Sequence, residues 1–152
     1  MSDPATALSG LRVLDLSTEV AGSFCARLFA DNGADVVLVE PEGGSPLRER
    51  GPFADVDGEQ VSCLFWHLNL GKRGTEADRA GDAGRGTVAA LAAGADVVVV
   101  DAATEADTIA ALDGPRVVVD LTGFGREGAL ADWRGGELVF QALSGTMFEN
   151  GL

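Results

Sequence analysis

The chain has 152 residues and a formal net charge of −13, and 46% of its residues are hydrophobic. This length predicts one domain with a buried core, and this apolar content excludes a disordered acidic chain. The excess of acidic residues argues against a nucleic-acid binder and against binding to an anionic membrane surface. We therefore expect neither nucleic acid nor a membrane as a partner.

The sequence carries no signal that would direct it out of the cytoplasm. Its start lacks the basic and apolar segments of a secretion signal, and no apolar run reaches the ~18 residues of a membrane span. Cys25 and Cys63 stand in apolar surroundings without CxxC or metal-site spacing, so we predict buried reduced thiols and no metal. Together these features predict a cytoplasmic protein.

The first third of the chain alternates between strand and helix patterns. Residues 12–16 form an apolar run that predicts a buried strand. From 21 to 29 the apolar residues follow helical spacing, and Asn32-Gly33 provides a stop signal. A β-branched run at 36–39 predicts the next buried strand.

The alternation continues through the rest of the chain. Residues 41–60 are rich in Gly, Pro, Asp and Glu and predict one long loop. Further helices are predicted at 61–68, 87–93, 104–112 and 139–147, and further strands at 96–100 and 116–121. Continuously apolar strands that alternate with helices indicate a parallel sheet covered on both faces. The predicted fold class is therefore α/β, a Rossmann-like parallel sheet flanked by helices in a single module over 1–152.

A glycine motif suggests one function. Gly123-Phe124-Gly125-Arg126-Glu127-Gly128 spells GxGxxG after a predicted strand, and Glu149 lies near where a ribose-binding acid is expected. This pattern is typical of an NAD-binding domain, but it follows the last predicted strand instead of the first, and no amphipathic helix continues from it. The alternatives are a simple turn and a ligand-contacting loop of another kind.

Seven stretches match one enzyme family in order. They are residues 8–17 (LSGLRVLDLS), 21–22 (AG), 28–41 (LFADNGADVVLVEP), 43–48 (GGSPLR), 69–73 (NLGKR), 117–128 and 141–145 (QALSG). Together they resemble class III coenzyme A transferases, the CaiB/BaiF group that includes formyl-CoA transferases and α-methylacyl-CoA racemases. The resemblance spans nearly the whole chain and implies the N-terminal portion of the family's large domain.

The resemblance implies a function and a set of binding residues. The family moves CoA between an acyl-CoA and a carboxylic acid, so acyl-CoA is expected as a substrate and no cofactor is bound permanently. The turn Glu19-Val20-Ala21-Gly22 opens a predicted helix, so its free N–H groups point outward. The phosphates of CoA would meet these N–H groups and nearby cations. The implied CoA-binding residues are Val20, Ala21, Gly22, Arg48, Lys72, Arg73, Gly123, Phe124 and Gly125.

Several of these residues also have a simpler interpretation. Gly22 could serve only as a turn residue, and Arg48 and Arg50 could pair with Glu49 or Asp55 in their acidic loop. Lys72 and Arg73 could form a solvated turn. The neighbouring pair Phe65-Trp66 is more typical of a core than of a stacking platform for adenine.

The resemblance also implies what this chain does not carry. The family's nucleophile is an aspartate downstream of the 141–145 stretch, so no residue here is assigned a catalytic role, and Asp15 matches a structural family position. The family's Glu-Asn-Phe, which contacts CoA, is replaced by Val100-Asp101-Ala102. We expect a portion that is inactive alone and works as a homodimer or with a complementary chain. The alternative is a non-catalytic CoA- or nucleotide-binding subunit.

Overall fold

A computed structural model describes residues 6–115 and 117–150, and the chain divides into two compact units. The first unit extends to Asp120 and the second begins at Leu121. In chain order the elements up to this boundary are β1 (Arg12–Asp15), α1 (Val20–Asp31), β2 (Asp35–Glu40), a short 3-10 helix (Pro46–Glu49), β3 (Phe53–Val56), β4 (Glu59–Ser62), α2 (Cys63–Asn69), β5 (Arg73–Glu76), α3 (Asp82–Ala93), β6 (Val97–Asp101), α4 (Ala106–Ala110) and β7 (Val117–Leu121).

Five strands form one sheet in the order β5-β2-β1-β6-β7. Strand β1 pairs in parallel with both β2 and β6, and β2 pairs in parallel with β5. The chain runs from β1 to β2 on one side and later returns to β6 on the other, so the strand order reverses between β1 and β6. In parallel α/β sheets, ligands bind at the carboxyl ends of the strands at such a point. The predicted parallel α/β sheet flanked by helices is confirmed.

The buried strands follow the apolar runs of the sequence. All five residues of β6 are buried, because the strand lies between two others and both of its faces are covered. On one face, Val88 and Ala92 of α3 pack in a cluster with Leu14 and Val98 of the central strands. Helix α1 contacts β1, β2 and β6.

A second apolar cluster packs against β2. It contains Leu38, Leu47 of the 3-10 helix, and Phe65 and Leu68 of α2. Leu38 lies on the opposite face of β2 from its neighbour Val39, which belongs to the α3 cluster. Phe65 is therefore a core residue, as the simpler interpretation predicted, whereas its neighbour Trp66 is 51% exposed.

The predicted single loop over residues 41–60 is wrong. The segment contains the 3-10 helix and an antiparallel hairpin of β3 and β4. Its two-residue turn is Asp57-Gly58, with φ of 54° and 88°, which is the pairing that tight hairpins favour. The sequence also gave no prediction of β5, because this edge strand is exposed at all four residues and has no apolar pattern.

Two helix boundaries also differ from prediction. Helix α3 begins at Asp82 instead of residue 87, because its two internal glycines obscure the periodicity. The last predicted helix is divided into α5 (Glu137–Leu143) and α6 (Thr146–Asn150), with Gly145 at φ 83° between them. No helix in the described ranges has the length and apolar character needed to cross a membrane.

The second unit is held together by aromatic contacts. The ring of Phe124 lies 5.9 Å from that of Trp133 and 5.2 Å from that of Phe140, both in edge-to-face geometry. Neither α5 nor α6 contains a buried residue. This unit therefore exposes most of the apolar side chains that its helices carry.

Two glycines of α3 allow a matched test of its packing. A Cβ at Gly84 would lie 1.9 Å from the carbonyl oxygen of Asp78, whereas a Cβ at Gly86 would meet nothing within 4 Å. We expect Gly84→Ala to lower the free energy of unfolding by about 2 kcal/mol or more. Gly86→Ala should raise it by about 0.5–1 kcal/mol, because alanine favours the helix. Urea unfolding followed by circular dichroism measures both, and equal effects of the same sign would contradict this packing.

Candidate functional site

The ammonium group of Lys72 lies in the interior of the first unit. Its side chain is 1% exposed. Nζ donates to Asp15 Oδ2, to the carbonyl oxygen of Ser23 and to Asn69 Oδ1, each at 2.8 Å. Each of the three ammonium hydrogens therefore has an acceptor. The predicted contact between Lys72 and a CoA phosphate would require this network to open.

Asp15 completes the same network. Its Oδ1 accepts the N–H of Ser17 at 3.0 Å and the Ser17 hydroxyl at 2.5 Å. Burial raises the pKa of Asp15, and the Lys72 ammonium partly offsets this rise. Burial also lowers the pKa of Lys72, and the Asp15 carboxylate partly offsets this fall. The pair connects the end of β1 with α1 and with the end of α2, so Asp15 is a structural residue.

The turn that leads into α1 binds a carboxylate of the protein itself. The N–H groups of Thr18 and Glu19 donate to Asp101 Oδ2 at 2.6 and 2.8 Å, and Asp101 is 2% exposed. The sequence predicted free N–H groups from Glu19 onward. This prediction is wrong for Glu19, because Asp101 at the end of β6 reaches the same crevice. The first-turn amides of α1, which have no acceptor within the helix, begin at Val20.

Within that first turn, Gly22 serves packing. A Cβ at this position would lie 2.4 Å from Cβ of Ser17, so only glycine allows α1 to approach the end of β1. Gly22 is buried, Val20 is half-buried and Ala21 is exposed. Val20 and Ala21 therefore remain the accessible part of the predicted binding turn.

Arg48 is paired, although not with the acids named from the sequence. Its Nε and Nη2 donate to the two oxygens of Glu40 at 2.6 and 2.7 Å, and its guanidinium lies 3.8 Å from the centre of the Phe65 ring. Hydrogen bonding to Arg48 lowers the pKa of Glu40. Glu40 is the last residue of β2, so Arg48 lies at the carboxyl edge of the sheet.

Arg50 is a cation at this edge that the predicted site did not include. Its Nη1 lies 3.7 Å from Oε2 of Glu19, the residue before α1, and both side chains are more than half exposed. No sequence pattern marks this proximity, because the two residues are far apart in the chain. Arg50 therefore brings a weakly paired guanidinium to the start of α1.

Arg73 lies at the other end of the sheet. It begins β5, and its guanidinium donates to both oxygens of Asp35, the first residue of β2, at 2.9 and 2.6 Å. In a parallel sheet these first residues form the amino edge. The structure does not bring Arg73 to the start of α1.

The three predicted residues of the glycine motif belong to the second unit. A Cβ at Gly123 would lie 2.3 Å from Cζ of Phe140, Phe124 belongs to the aromatic cluster, and Gly125 has φ of 81°. The next helix begins only at Glu137. The GxGxxG sequence therefore lacks the strand–turn–helix context of a dinucleotide-binding motif, and in this unit its glycines serve packing and turns.

Both cysteines are free thiols, but they are half-buried and not buried as predicted. Burial and the nearby Asp15 raise the pKa of Cys25, which disfavours a reactive thiolate. Within residues 6–115 and 117–150, no group of His, Cys, Asp and Glu side chains has an arrangement that could hold a metal ion.

Comparison with known proteins identifies the family. Residues 8–152 match the profile described as "CoA-transferase family III". The chain belongs to this family. Its structure resembles the crystal structure of a CAIB/BAIF family protein from Brucella suis, with a TM-score of 0.81 and 34% sequence identity over 94% of this chain and 40% of that one. The resemblance inferred from the sequence motifs is confirmed.

Two similar relatives are CoA-transferases by name. The chain is 36% identical to succinate–glutarate CoA-transferase of Agrobacterium fabrum, over 92% of this chain and 38% of that protein. It is 37% identical to the BbsE subunit of succinyl-CoA:(R)-benzylsuccinate CoA-transferase of Thauera aromatica, over 95% of this chain and 37% of that protein. The chain thus spans well under half the length of these family members.

Neighbouring positions 72 and 73 provide a matched test of the buried ion pair. Lys72→Met leaves the Asp15 carboxylate buried without its cation, so we expect a loss of about 3–5 kcal/mol in the free energy of unfolding at about pH 8. Arg73→Met removes only an exposed pair and should cost about 1 kcal/mol or less. Urea unfolding measures both.

The loss in Lys72→Met should depend on pH. Without Lys72, burial holds the pKa of Asp15 in the folded state above its unfolded value, so protonation favours folding. That stability is present at about pH 4 and is lost as pH rises through the folded pKa. Relative to the parent protein, the variant should therefore be less impaired at about pH 4 than at about pH 8. An equal loss at both values would contradict a charged pair.

Proposed function

We propose that this chain supplies the CoA-binding part of a family III transferase that moves CoA between an acyl-CoA and a carboxylic acid. The supporting observation is the carboxyl edge of the sheet. There the accessible amides of Val20 and Ala21 lie after β1, Arg48 is fixed to the end of β2, and Arg50 pairs weakly with Glu19. Helix-start amides and guanidinium groups are the donors that phosphates require.

The two arginines contribute differently to this proposed site. Arg48 uses Nε and Nη2 for Glu40 and lies on Phe65, so its position is fixed and Nη1 remains for a ligand. Arg50 is 54% exposed and its ion pair is long, so its guanidinium can exchange Glu19 for a phosphate at little cost. Arg48 thus supplies a preorganised donor and Arg50 a mobile one.

The catalytic carboxylate belongs, in this proposal, to polypeptide outside these 152 residues. CoA transfer in the family uses an aspartate that attacks the thioester and forms an acyl anhydride. The buried carboxylates of the carboxyl edge are engaged: Asp15 by Lys72, Glu40 by Arg48, and Asp101 by two amides. None of these three is available as a nucleophile without loss of local structure.

The same polypeptide would cover the second unit. In helices α5 and α6 no residue is buried, and Leu138 and Phe148 are 69% and 78% exposed. Exposed apolar side chains at this density mark an interaction surface. We propose that the covering polypeptide is the region that relatives carry beyond the matched segment, in the same chain, in a second copy or in a complementary chain.

Relatives suggest a substrate class. Two of them are named for succinate or succinyl-CoA, so we propose succinyl-CoA as the first donor to test.

The second candidate function is a non-catalytic CoA-binding subunit. It is favoured by Asp101, which takes two amides of the α1 turn where the resemblance implies an uncharged asparagine.

CoA binding can be tested on the purified chain by calorimetric titration. We expect saturable binding of CoA that weakens about tenfold or more in Arg48→Gln and in Arg50→Gln, because each removes a charge-assisted hydrogen bond. Arg73→Gln, at the opposite edge of the sheet, is the control and should bind as the parent does. Equal affinities of all four proteins would contradict the proposed site.

A chimera separates the two candidate functions. Residues 6–150 replace the matched segment of the Agrobacterium relative, which retains the rest of its own sequence. We expect the chimera to transfer CoA from succinyl-CoA to glutarate, and the 152-residue chain alone not to do so. A folded chimera that binds CoA without transferring it would favour the non-catalytic subunit.

A further inference from the structure

A cleft, here called the amino-edge cleft, lies on the face of the sheet that α3 covers only in part. The strand residues that line it are Arg12, Leu14, Asp35, Val37, Arg73 and Thr75. Leu14, Val37 and Arg73 stand side by side across β1, β2 and β5, and side chains two positions apart in a strand point to the same face. All six side chains therefore project from one face of the sheet, and Thr87 and Leu91 of α3 form part of the wall.

The amino-edge cleft is large enough for a small molecule. Its volume is about 390 Å³, which falls within the roughly 300–1,000 Å³ of typical small-molecule sites. Val37 at its floor is half-buried, whereas Val36, Leu38 and Val39 of the same strand are buried. Leu91 in the wall is also half-buried. Floor and wall therefore retain apolar surface that a ligand with an apolar body would cover.

Arg12 places a cation at one end of the amino-edge cleft. It is the first residue of β1, and its guanidinium lies against Gly94, since a Cβ there would be 2.8 Å from Nη2 of Arg12. The nearby acid Asp96 accepts the backbone N–H of Arg12 at 3.0 Å. Over residues 6–115 and 117–150, the Arg12 guanidinium itself makes no hydrogen bond and no ion pair. Its donors and its charge are therefore open to a ligand in the cleft.

Arg73 supplies a second guanidinium at the same end. Its Nε and Nη2 donate to the two oxygens of Asp35, so its position is fixed and Nη1 remains for a ligand. Asp35 is the acid among the residues that line the cleft, and this bidentate pair neutralises it. The guanidinium of Arg12 then leaves this end of the cleft with one excess positive charge.

We propose that the amino-edge cleft binds a small monocarboxylate with an apolar body. The carboxylate lies between the guanidinium groups of Arg12 and Arg73, whose planar forks match its two oxygens, and the apolar body lies on Val37 and Leu91. A dianionic ligand would bring more negative charge than the one excess cation neutralises, and burying the remainder on an apolar floor is costly. This site lies at the opposite edge of the sheet from the proposed CoA site and is independent of it.

The test is a methyl NMR titration of the full 152-residue chain with octanoate. The probe resonances are the methyl groups of Val37 and Leu91, and those of Val20, at the carboxyl edge, are the reference. We expect octanoate to shift the Val37 and Leu91 resonances in a saturable way and to leave Val20 unmoved. Octanamide has the same body without the charge, so it should bind at least about tenfold more weakly.

Arg12→Gln tests the recognition of the carboxylate. We expect octanoate to bind about tenfold more weakly to this variant than to the parent chain, because a charge-assisted hydrogen bond is lost. Arg85→Gln, on α3 but outside the cleft, is the matched control and should bind as the parent does. Both arginines are exposed, so neither change removes a buried group.

Several results would overturn the proposed site. It is wrong if octanoate shifts neither Val37 nor Leu91, or if it shifts Val20 as strongly. It is also wrong if octanamide binds the parent as tightly as octanoate does, or if Arg12→Gln binds octanoate as tightly as the parent. Dilution of the parent without ligand tests another occupant. Val37 and Leu91 resonances that move with protein concentration would assign the cleft to a second copy of this chain instead.

Discussion

The ion pair between Lys72 and Asp15 is the interaction on which the geometry of the carboxyl edge depends. Removing both charges from water is costly, and their attraction offsets this cost only where the remaining hydrogen-bonding groups are also satisfied. Here Ser23, Asn69 and Ser17 supply those partners. Because the acceptors come from the end of β1, from α1 and from the end of α2, the network fixes the start of α1 relative to the sheet. Gly22 completes this arrangement by allowing Ser17 to lie against the helix.

A second constraint acts at the same place. The carboxylate of Asp101 accepts the amides of Thr18 and Glu19 in the turn before α1. These amides lie where the strand order reverses, which is where parallel α/β sheets usually bind an external phosphate. The carboxylate satisfies these two donors from within the protein. In the proposed function, an external anion is therefore left to the next amides of α1 and to arginines outside the crevice. Position 101 is also a place where the sequence departs from the family pattern, so in the proposed function this change bears on which groups meet CoA.

The sequence predicted the elements whose pattern arises from burial. Strands β1, β2 and β6 are continuously apolar because both of their faces are covered. The hairpin of β3 and β4 and the edge strand β5 were missed because their residues are mostly exposed and polar, so no apolar period marks them.

The site was predicted less well, for a different reason. Lys72 and Arg73 are neighbours in sequence, yet one lies in the interior and the other at the amino edge, and their partners are 57 and 38 positions away. Only the tertiary fold determines such pairings.

The net charge of −13 and an anionic ligand are compatible because of where the cations are placed. Arg73 is bonded to Asp35 and Arg27 to Asp31, and both contribute little to the field beyond their own partners. Arg50, by contrast, has only a long ion pair of 3.7 Å with Glu19, and it lies at the carboxyl edge. At physiological ionic strength the repulsion from distant acids is screened within about 8 Å. In the proposed site, a phosphate at this edge would therefore respond chiefly to the nearest arginines and little to the acidic remainder of the surface.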